Sequence, residues 1–273
     1  MTVINSNSAA LRAQNGTRLA NQQLQTAMAR LSSGNRINNA SDDAAGLAIS
    51  NSMTSQINGM NQAISNANDG VSMAQTADGA LSEVTNMLQR IRELAVQSAS
   101  GTYSDDDRTN MQAEVGLLTQ QISNTLTSSN FNGVNLFDGT AGGGTGVVSI
   151  QVGADSGDTI DMDFGAINDT TTATSVATVT DANAALGVVD AQLKVVDNAR
   201  AKLGAAESRM NSVVNSLTDN VTNMTDARSR IADTDFSVET TNLAKAQILN
   251  QAATAMLAQA NQSAQGVMKL LGN

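Results

Sequence analysis

Apolar residues recur at steps of three and four along two long stretches of the chain, which predicts helices that bury a narrow stripe. The later stripe is Leu186, Val189, Leu193, Val196, Leu203, Met210, Val214, Leu217, Val221, Met224 and Ile231. The earlier one is Met53, Ile57, Met60, Ile64, Ala67, Val71 and Ala74, with a phase slip near Ala77, then Leu81, Val84, Leu88, Ile91 and Ala95. Each spans roughly 65 Å at 1.5 Å per residue. We expect the two helices to pair lengthwise as an antiparallel rod.

Both ends of the chain carry thinner stripes at helical spacing. At the start they are Ile4, Leu11, Leu19, Leu24, Met28 and Leu31, and at the end Leu249, Ala253, Met256, Ala260, Val267 and Leu270. Short helices with so little apolar surface are marginal in water unless a partner covers the stripe. We therefore predict terminal helices that lack order in a monomer and become ordered in an assembly.

Polar residues mark where the helices begin. The segment 34–43 is a linker whose last residues, Ser41 to Asp43, can accept hydrogen bonds from free amides at the start of the first long helix. Ser104 and the three aspartates after it do the same for a shorter helix that contains Met111, Val115, Leu118, Ile122 and Leu126. Thr180 and Asp181 are predicted to open the last long helix.

The middle of the chain changes its period. Two turn dipeptides lie between Phe131 and Gly139, residues 147–152 alternate in the manner of a strand, and 159–164 resemble its hairpin partner. Residues 169–180 show no strong pattern. The sequence thus predicts a mainly α fold, a coiled-coil-like bundle with terminal helices, and a small exposed β-region with a loop at 131–180.

Composition narrows the possible functions. Only 2% of residues are aromatic and Trp, Pro, Cys and His are all absent, so helix–helix seams are favoured, while disulfides, thiolate chemistry and the commonest metal ligand are excluded. A net charge of -10 argues against nucleic acid and anionic membranes as partners. The first residues lack the pattern of a cleavable signal peptide, and no apolar run reaches the roughly 18 residues of a membrane span.

Candidate chemistry is sparse. Residues 142–146 are rich in glycine, but no Lys follows, so a turn is favoured over a phosphate cradle. Asp161 and Asp163 could be paired carboxylates, although acids on a strand surface are the preferred interpretation. Polar residues interrupt the last stripe at Arg200, Glu207 and Arg228, where we expect them to fix the register between helices. No catalytic, cofactor or metal site is predicted.

Motifs at the two ends closely resemble the signatures of one family. Residues 31–38 (LSSGNRIN) and 42–50 (DDAAGLAIS) resemble the N-terminal signature of bacterial flagellins, and 246–251 (AQILNQ) and 255–262 (AMLAQANQ) resemble the C-terminal one. Residues 89–97 and 131–133 are also similar to flagellin. The resemblance covers almost all of the chain except roughly 140–180, so we expect a flagellin-like protein.

This resemblance implies a structural subunit that polymerises into the extracellular flagellar filament for swimming motility. It would be exported unfolded by the flagellar type III apparatus and would add at the distal tip. In the family, terminal helices form an inner-tube coiled coil, long helices form an outer tube, and the variable middle faces solvent. The corresponding segments here are 1–33 with 236–273, 44–130 with 181–235, and 131–180.

The resemblance also implies partners and residues. The partners are other copies, an export chaperone at the C-terminal segment, and the filament cap and hook-junction proteins. Residues assigned to filament assembly are Leu24, Leu31, Leu249, Met256, Ala260, Val267 and Leu270. The family's surface for Toll-like receptor 5 matches at Gln89, Arg90, Leu94, Glu114 and Leu193, with Val189 a conservative departure. We interpret these six first as packing residues between subunits.

Two alternatives are open. A hook–filament junction protein has similar ends and a similar rod, although the unbroken C-terminal signature favours flagellin. An enzyme carried on the β-region is a second alternative, but an insert of ~40 residues is short for a pocket of the usual ~300 Å³ or more.

Overall fold

A computed structural model describes residues 6–165, 167 and 174–271. The helices are α1 (Ser8–Ser33), α2 (Ala44–Ala99), α3 (Asp105–Ser128), α4 (Ala141–Gly144), α5 (Val179–Ala232) and α6 (Phe236–Leu271). The strands are β1 (Asn130–Phe131), β2 (Val134–Asn135), β3 (Val147–Gln151) and β4 (Thr159–Asp163). The predicted mainly α fold with a small hairpin region is confirmed.

The chain divides into two compact units. A terminal unit contains residues 1–55 and 223–273, and a central unit contains residues 56–222. The helices α2 and α5 each contribute residues to both units. The segments that the sequence predicts for the inner and outer tubes of a filament have other boundaries, because they separate the terminal helices from the long helices at the linker 34–43. Those boundaries stay a prediction.

The long helices α2 and α5 run antiparallel and are joined by polar pairs. The three seam-interrupting residues all have partners on α2, namely Arg200 with Asp78, Glu207 with Gln75 and, in the terminal unit, Arg228 with Thr54. Arg200 is the strongest of them because its guanidinium donates to both carboxylate oxygens of Asp78, at 2.7 and 3.3 Å. These contacts agree with the interpretation that the three polar residues fix the register between α2 and α5.

The buried stripe of α2 is unbroken. It consists of Met60, Ala63, Ala67, Gly70, Ala74, Ala77, Leu81, Val84, Leu88, Ile91 and Ala95. Steps of three and four alternate throughout, so the predicted phase slip near Ala77 is wrong. This stripe was not recognised in the sequence because small residues form part of it. Gly70, and not the larger Val71, occupies the buried position. A Cβ atom on Gly70 would lie 2.6 Å from the Met210 sulfur and 3.3 Å from Cγ1 of Ile150, so the neighbours leave no room for a larger residue.

The helices begin at polar capping residues of the predicted kind, but one helix begins two residues earlier than predicted. The Ser104 side chain accepts from the Asp107 amide at 3.2 Å while the Asp107 carboxylate accepts from the Ser104 amide at 3.0 Å, a capping box that begins α3. Asp43 accepts from the Gly46 amide at 2.8 Å and begins α2. The last long helix starts two residues earlier than predicted, because Thr178 rather than Thr180 accepts from the amide of Asp181.

The β-region contains the predicted hairpins but is not simply exposed. Asn132 and Gly133, both with positive φ, turn the chain between β1 and β2. In β3 and β4, Ile150 lies opposite Ile160. Three residues at alternating positions, Ile160, Met162 and Phe164, are buried in the core of the central unit. One face of the hairpin therefore belongs to the core.

The predicted exposed loop at 169–180 is wrong at its end. Residues 168–173 lie outside the described residues, but Val176 is fully buried. Its carbonyl accepts from the Ser98 hydroxyl and its amide donates to the Gln112 side chain, which anchors the segment to α2 and α3. The glycine-rich segment forms a turn as predicted, since Gly142 and Gly143 in α4 have left-handed φ values of 64° and 78°.

A candidate assembly interface on the terminal helices

The helices α1 and α6 pack antiparallel through a seam of mostly small residues. The inward residues are Ala10, Ala13, Thr17, Ala20, Leu24, Ala27 and Leu31 on α1, and Leu243, Ala246, Asn250, Ala253, Leu257, Ala260 and Ala264 on α6. Steps of three and four alternate on both helices, as in a coiled coil. A Cβ atom on Gly16 would lie only 3.8 Å from that of Ala253, so the backbones approach closely. The pair is held by a seam that buries little apolar area.

Polar contacts cross this seam at three levels. The pairs are Asn7 with the Ala260 carbonyl (3.1 Å), Asn21 with Asn250 (2.5 Å) and Arg30 with Glu239 (3.9 Å). The Glu239 side chain is 9% exposed and is paired with Arg30 and with the side-chain amide of Asn242. These polar contacts are compatible with one alignment of the two helices.

A short set of hydrogen bonds, which we call the clasp, joins residues 34–36 to residues 231–234. Arg36 donates from Nε and Nη2 to the Ile231 carbonyl, at 3.2 and 2.7 Å, and its amide donates to the Ala232 carbonyl at 2.6 Å. The Thr234 amide donates to the Gly34 carbonyl at 2.9 Å. The linker 34–43 is thus fixed to the end of α5, directly before α6 begins.

Most of the described large apolar side chains of α1 and α6 point away from the seam. We call them the outer residues: Leu11, Leu19, Met28, Phe236, Val238, Ile248, Leu249 and Met256, all exposed. They lie on several sides of the pair. Leu19 and Met28, for example, are nine residues apart and therefore on about opposite sides of α1 at 3.6 residues per turn. Soluble monomers rarely leave so many large apolar residues uncovered on one helix pair.

The residues that we assigned to filament assembly fall into two groups. Leu24, Leu31 and Ala260 are half-buried inside the seam of the chain's own helices. Leu249 and Met256 are 43% and 63% exposed and belong to the outer residues. The side chains of Val267 and Leu270 lie outside the described residues. Sequence reasoning missed Phe236, Val238 and Ile248, because it followed one stripe of mixed large and small residues. Of that stripe, Ala253 and Ala260 lie in the true seam of α6, whereas Leu249 and Met256 do not.

The residues matched to the receptor surface are only partly on a surface. Leu94 and Val189 are 2% and 0% exposed in the core of the central unit, so their placement on a surface is wrong. Leu193 is half-buried against that core. Gln89, Arg90 and Glu114 do have accessible side chains.

Arg90 links two helices at this place. Its Nε donates to the Glu114 carboxylate on α3 at 2.8 Å, and its Nη1 contacts Glu93 at 3.2 Å. The hydrogen bond to Glu114, followed by that to Glu93, raises the pKa of Arg90 above its ordinary value. The guanidinium, which like that of any arginine is charged at physiological pH, connects α2 to α3.

The central unit contains a surface depression of about 480 Å³. It is lined by Met73, Gly133, Val134, Asn135, Thr140, Gly142, Gly143 and Val148. Its volume exceeds the ~300 Å³ of a small ligand pocket, but it is open to solvent and partly lined by α2, so the expectation that the insert is too short to enclose a pocket stays a prediction. Neither Asp161 nor Asp163 lines it. Among the described residues, no cluster of acidic side chains is arranged to hold a metal ion, and no helix is long and apolar enough to cross a membrane.

Comparisons with known proteins agree with this architecture. A family model described as the bacterial flagellin N-terminal helical region matches residues 4–142, and one described as the C-terminal helical region matches residues 186–271. A flagellin from Halalkalibacterium halodurans is 42% identical over 98% of this chain and 99% of its own length. The chain belongs to the bacterial flagellin family. It is a structural subunit of the flagellar filament.

Two further relatives support this assignment of the flagellin. The flagellar filament 33 kDa core protein of Treponema phagedenis is 41% identical over 98% of this chain and 99% of its own. A crystal structure of Bacillus cereus flagellin covers 60% of this chain and 94% of its own, with a TM-score of 0.52 and 30% identity. The hook–filament junction alternative is not favoured. Homologous flagellins form an extracellular filament and self-polymerise.

Proposed function

We propose that this flagellin polymerises by burying the outer residues of α1 and α6 against other copies of the chain, and that it reaches the growing tip unfolded through the flagellar type III apparatus. The single observation that carries the proposal is the reversed distribution of side chains on the helix pair. Alanines make up most of the seam, together with four leucines, whereas three leucines, a valine, an isoleucine, a phenylalanine and two methionines are exposed outside it.

The outer residues supply a driving force that exists only in the polymer. Fully burying a Val, Leu, Ile, Phe or Met side chain contributes about 1.5–3 kcal/mol. A partner that binds only the folded state stabilises that state. The terminal helices should therefore gain most of their stability when neighbours cover them.

The positions of the outer residues favour contacts with several neighbouring subunits over contact with a single subunit. A dimer covers one side of a helix pair, but Leu19 and Met28 lie on about opposite sides of α1. A helical homopolymer surrounds each subunit and can cover both sides. This supports a role for Leu249 and Met256 in contacts between subunits, and for Leu24, Leu31 and Ala260 in the seam within one subunit. Val267 and Leu270 stay predicted assembly residues.

The same surface suits the other partners of the family. The exposed apolar positions Ile248, Leu249 and Met256 on α6 fit a groove of the kind that holds amphipathic helices, which is how an export chaperone would bind before assembly. The filament cap and the hook-junction proteins would meet the polymer at its two ends, where subunits leave such surfaces uncovered. The mature subunit would then reside outside the cell.

Recognition by Toll-like receptor 5 is proposed for the accessible residues alone. Gln89, Arg90 and Glu114 can contact a receptor on the free subunit, whereas Leu94, Val189 and Leu193 would act by holding α2 and α5 in place. We give precedence to packing between subunits for the accessible residues as well.

Seeded growth tests the assembly proposal. Purified full-length chain and a truncation that ends at Asp235 are each added to short filament fragments and examined by negative-stain electron microscopy. We expect long filaments from the full chain and none from the truncation, which lacks α6 and most outer residues. If the full chain fails to extend the seeds where another flagellin extends them, the proposal is wrong.

A further inference from the structure

Asparagine followed by glycine is the dipeptide most prone to spontaneous loss of the side-chain amide, because glycine has no Cβ atom to hinder attack by its own backbone nitrogen. The chain contains three such pairs: Asn15–Gly16 in α1, Asn58–Gly59 in α2 and Asn132–Gly133 in the turn between β1 and β2. All three asparagines are exposed. Access to water therefore does not distinguish the three pairs, and the backbone around each pair decides its reactivity.

The reaction needs the backbone nitrogen of the glycine as its nucleophile. A base takes the proton of that nitrogen, which then attacks Cγ of the asparagine. A nitrogen–carbon bond forms, the bond from Cγ to the side-chain nitrogen breaks, and that nitrogen leaves as ammonia with a proton from water. The cyclic imide then adds water without any change of oxidation state. Opening at Cγ gives aspartate, whereas opening at the backbone carbonyl gives isoaspartate.

Helical backbone withholds this nucleophile at Asn58. Inside α2 the Gly59 amide belongs to the ladder in which each N–H donates to the carbonyl four residues earlier. The turn between β3 and β4 also lies against this glycine, since a Cβ atom on Gly59 would be 2.9 Å from that of Ala154. Attack at Asn58 therefore requires that several hydrogen bonds of α2 open first.

The turn between β1 and β2 leaves the same nucleophile free. Asn132 and Gly133 have φ values of 50° and 80° and connect strands of only two residues each, a length at which pairing is weak. Among the described residues, none accepts a hydrogen bond from the Gly133 amide and none binds the Asn132 side chain. No other part of the chain lies within 4 Å of a Cβ atom built on Gly133. The two reacting groups are therefore free to turn toward each other.

Neighbouring polar side chains lack this combination. Asn130 precedes a phenylalanine, and its side-chain amide donates to the Ser128 carbonyl at 3.0 Å. Asn135 precedes a leucine and donates to the Asp138 carboxylate at 2.9 Å. Asp138 does precede a glycine, but hydrogen bonds from the Thr140 hydroxyl, and next from its amide, lower the pKa of that carboxyl, and an ionised carboxylate resists attack.

We propose that Asn132 is a site of spontaneous deamidation and isomerisation with water as the co-reactant, and that the fold protects Asn58 from the same reaction. The product adds a negative charge beside the depression that Gly133 and Val134 help to line. Its isoaspartate form adds a backbone atom to the turn, which then no longer fits the pairing of Phe131 with Val134. Subunits therefore come to differ at this turn according to their age. The inference is independent of the proposed function.

Peptide mapping of the aged full-length chain tests the proposal. The monomer is kept in mildly basic buffer, digested with endoproteinase Asp-N and analysed by mass spectrometry with electron-transfer fragmentation, which distinguishes aspartate from isoaspartate. Cleavage before aspartate gives one peptide of residues 107–137 and another of residues 43–68, so Asn132 and Asn58 are followed in one sample. Asn15 is left out of the comparison because we predict that α1 lacks order in a monomer. Asn132→Gln, which would have to close a larger ring, is the control that assigns the signal.

We expect conversion at Asn132 to be at least about tenfold faster than at Asn58, because opening several helical hydrogen bonds costs at least the roughly 1.4 kcal/mol that this factor represents. The product should include isoaspartate, while Asn130 and Asn135 should keep their amides. In concentrated urea, where α2 is unfolded, Asn132 and Asn58 should react at similar rates.

Three results would overturn the proposal. Equal conversion of Asn132 and Asn58 in the folded chain would show that the helix gives no protection. A difference that persists in urea would mean that the local sequence, and not the fold, sets the two rates. A signal in the peptide of residues 107–137 that survives Asn132→Gln would place the reaction at another residue.

Discussion

The two units place their large apolar side chains in opposite ways. In the central unit, Leu81, Leu88 and Ile91 are completely buried between α2 and its neighbours. In the terminal unit, Leu19 and Met256 are more than half exposed while alanines fill the seam. The central unit buries its large apolar side chains, whereas the terminal unit leaves many of its own exposed, and in the proposed function neighbouring copies cover them. Stability of the chain and stability of the polymer are therefore assigned to different residues.

The terminal unit and the central unit also differ in net charge. Residues 1–55 and 223–273 carry eight Lys and Arg against six Asp and Glu, a formal charge of +2. Residues 56–222 carry seven against nineteen, a formal charge of -12. Copies of the terminal unit can approach one another with little repulsion, whereas the central unit keeps the acidic surface that favours solubility. The overall charge of -10 hides this division.

The largest effect should come from a charge placed among the outer residues. Met256→Asp should abolish polymerisation, because a neighbour would have to bury a carboxylate without a partner. Circular dichroism of the monomer should be unchanged, since the side chain is exposed there. Seeded electron microscopy is the measurement, and Gln251→Asp, which adds the same charge at an exposed polar position of α6, is the control. Filaments of normal length from Met256→Asp would contradict the contrast between the units.

The same truncation of a buried leucine and of an exposed leucine compares the two units directly. Leu88→Ala removes a fully buried side chain of the central unit and should lower the free energy of unfolding of the monomer by about 2–5 kcal/mol. Leu249→Ala makes the same chemical change at an exposed position and should alter it by no more than about 0.5 kcal/mol. Urea titration of both variants as monomers provides the values. Equal losses would show that α6 contributes to the stability of the isolated chain as much as the core does.

A smaller effect is expected where the hairpin approaches α2. Gly70→Val introduces a Cβ atom 2.6 Å from the Met210 sulfur and 3.3 Å from Ile150. The flexible methionine can move but the strand side chain has less freedom, so we expect a loss of about 1–3 kcal/mol by overpacking. Gly79→Val is the matched control, because no atom outside its own helix lies within 4 Å of a Cβ atom there. Thermal unfolding should separate the two variants, and equal melting temperatures would show that the hairpin yields freely.

Large residues at regular spacing were predictable from the sequence, and small ones only in part, since Ala67, Ala74 and Ala95 were predicted in the stripe of α2 and are buried. The stripe of α5 through Val189, Val196 and Leu203 was predicted and is buried, whereas Ala63 and Gly70 were missed in α2. The sequence does not distinguish a buried alanine from an exposed one, so only the close approach of another element in the structure identifies a buried alanine.

The same limit applies to the candidate interface. Leu249 and Met256 were predicted to await a partner, and they are exposed. The seam that pairs α6 with α1 was predicted only in part: Ala253 and Ala260 belonged to the predicted stripe of α6, but Ala246 and Ala264 did not. The clasp was also unpredictable, since it consists of hydrogen bonds to backbone carbonyls between segments nearly 200 residues apart, and sequence patterns do not record which carbonyl an arginine will reach.

The smallest effect is a pH dependence confined to the start of α3 in the central unit. Hydrogen bonds from the Ser104 hydroxyl, and next from its amide, lower the pKa of Asp107 below 3.8. A depressed pKa in the folded state means that the contribution is present above the unfolded value and is lost as the pH falls through the folded value. Hydrogen exchange of the first amides of α3 should therefore be slow at pH 5 and accelerate, relative to the intrinsic rate, below pH 3.8. Asp107→Asn should remove this acceleration, whereas Asp106→Asn, which leaves the capping box intact, should keep it. Acceleration that persists in Asp107→Asn would mean that fraying of the whole helix, rather than its capping box, governs the response to acid.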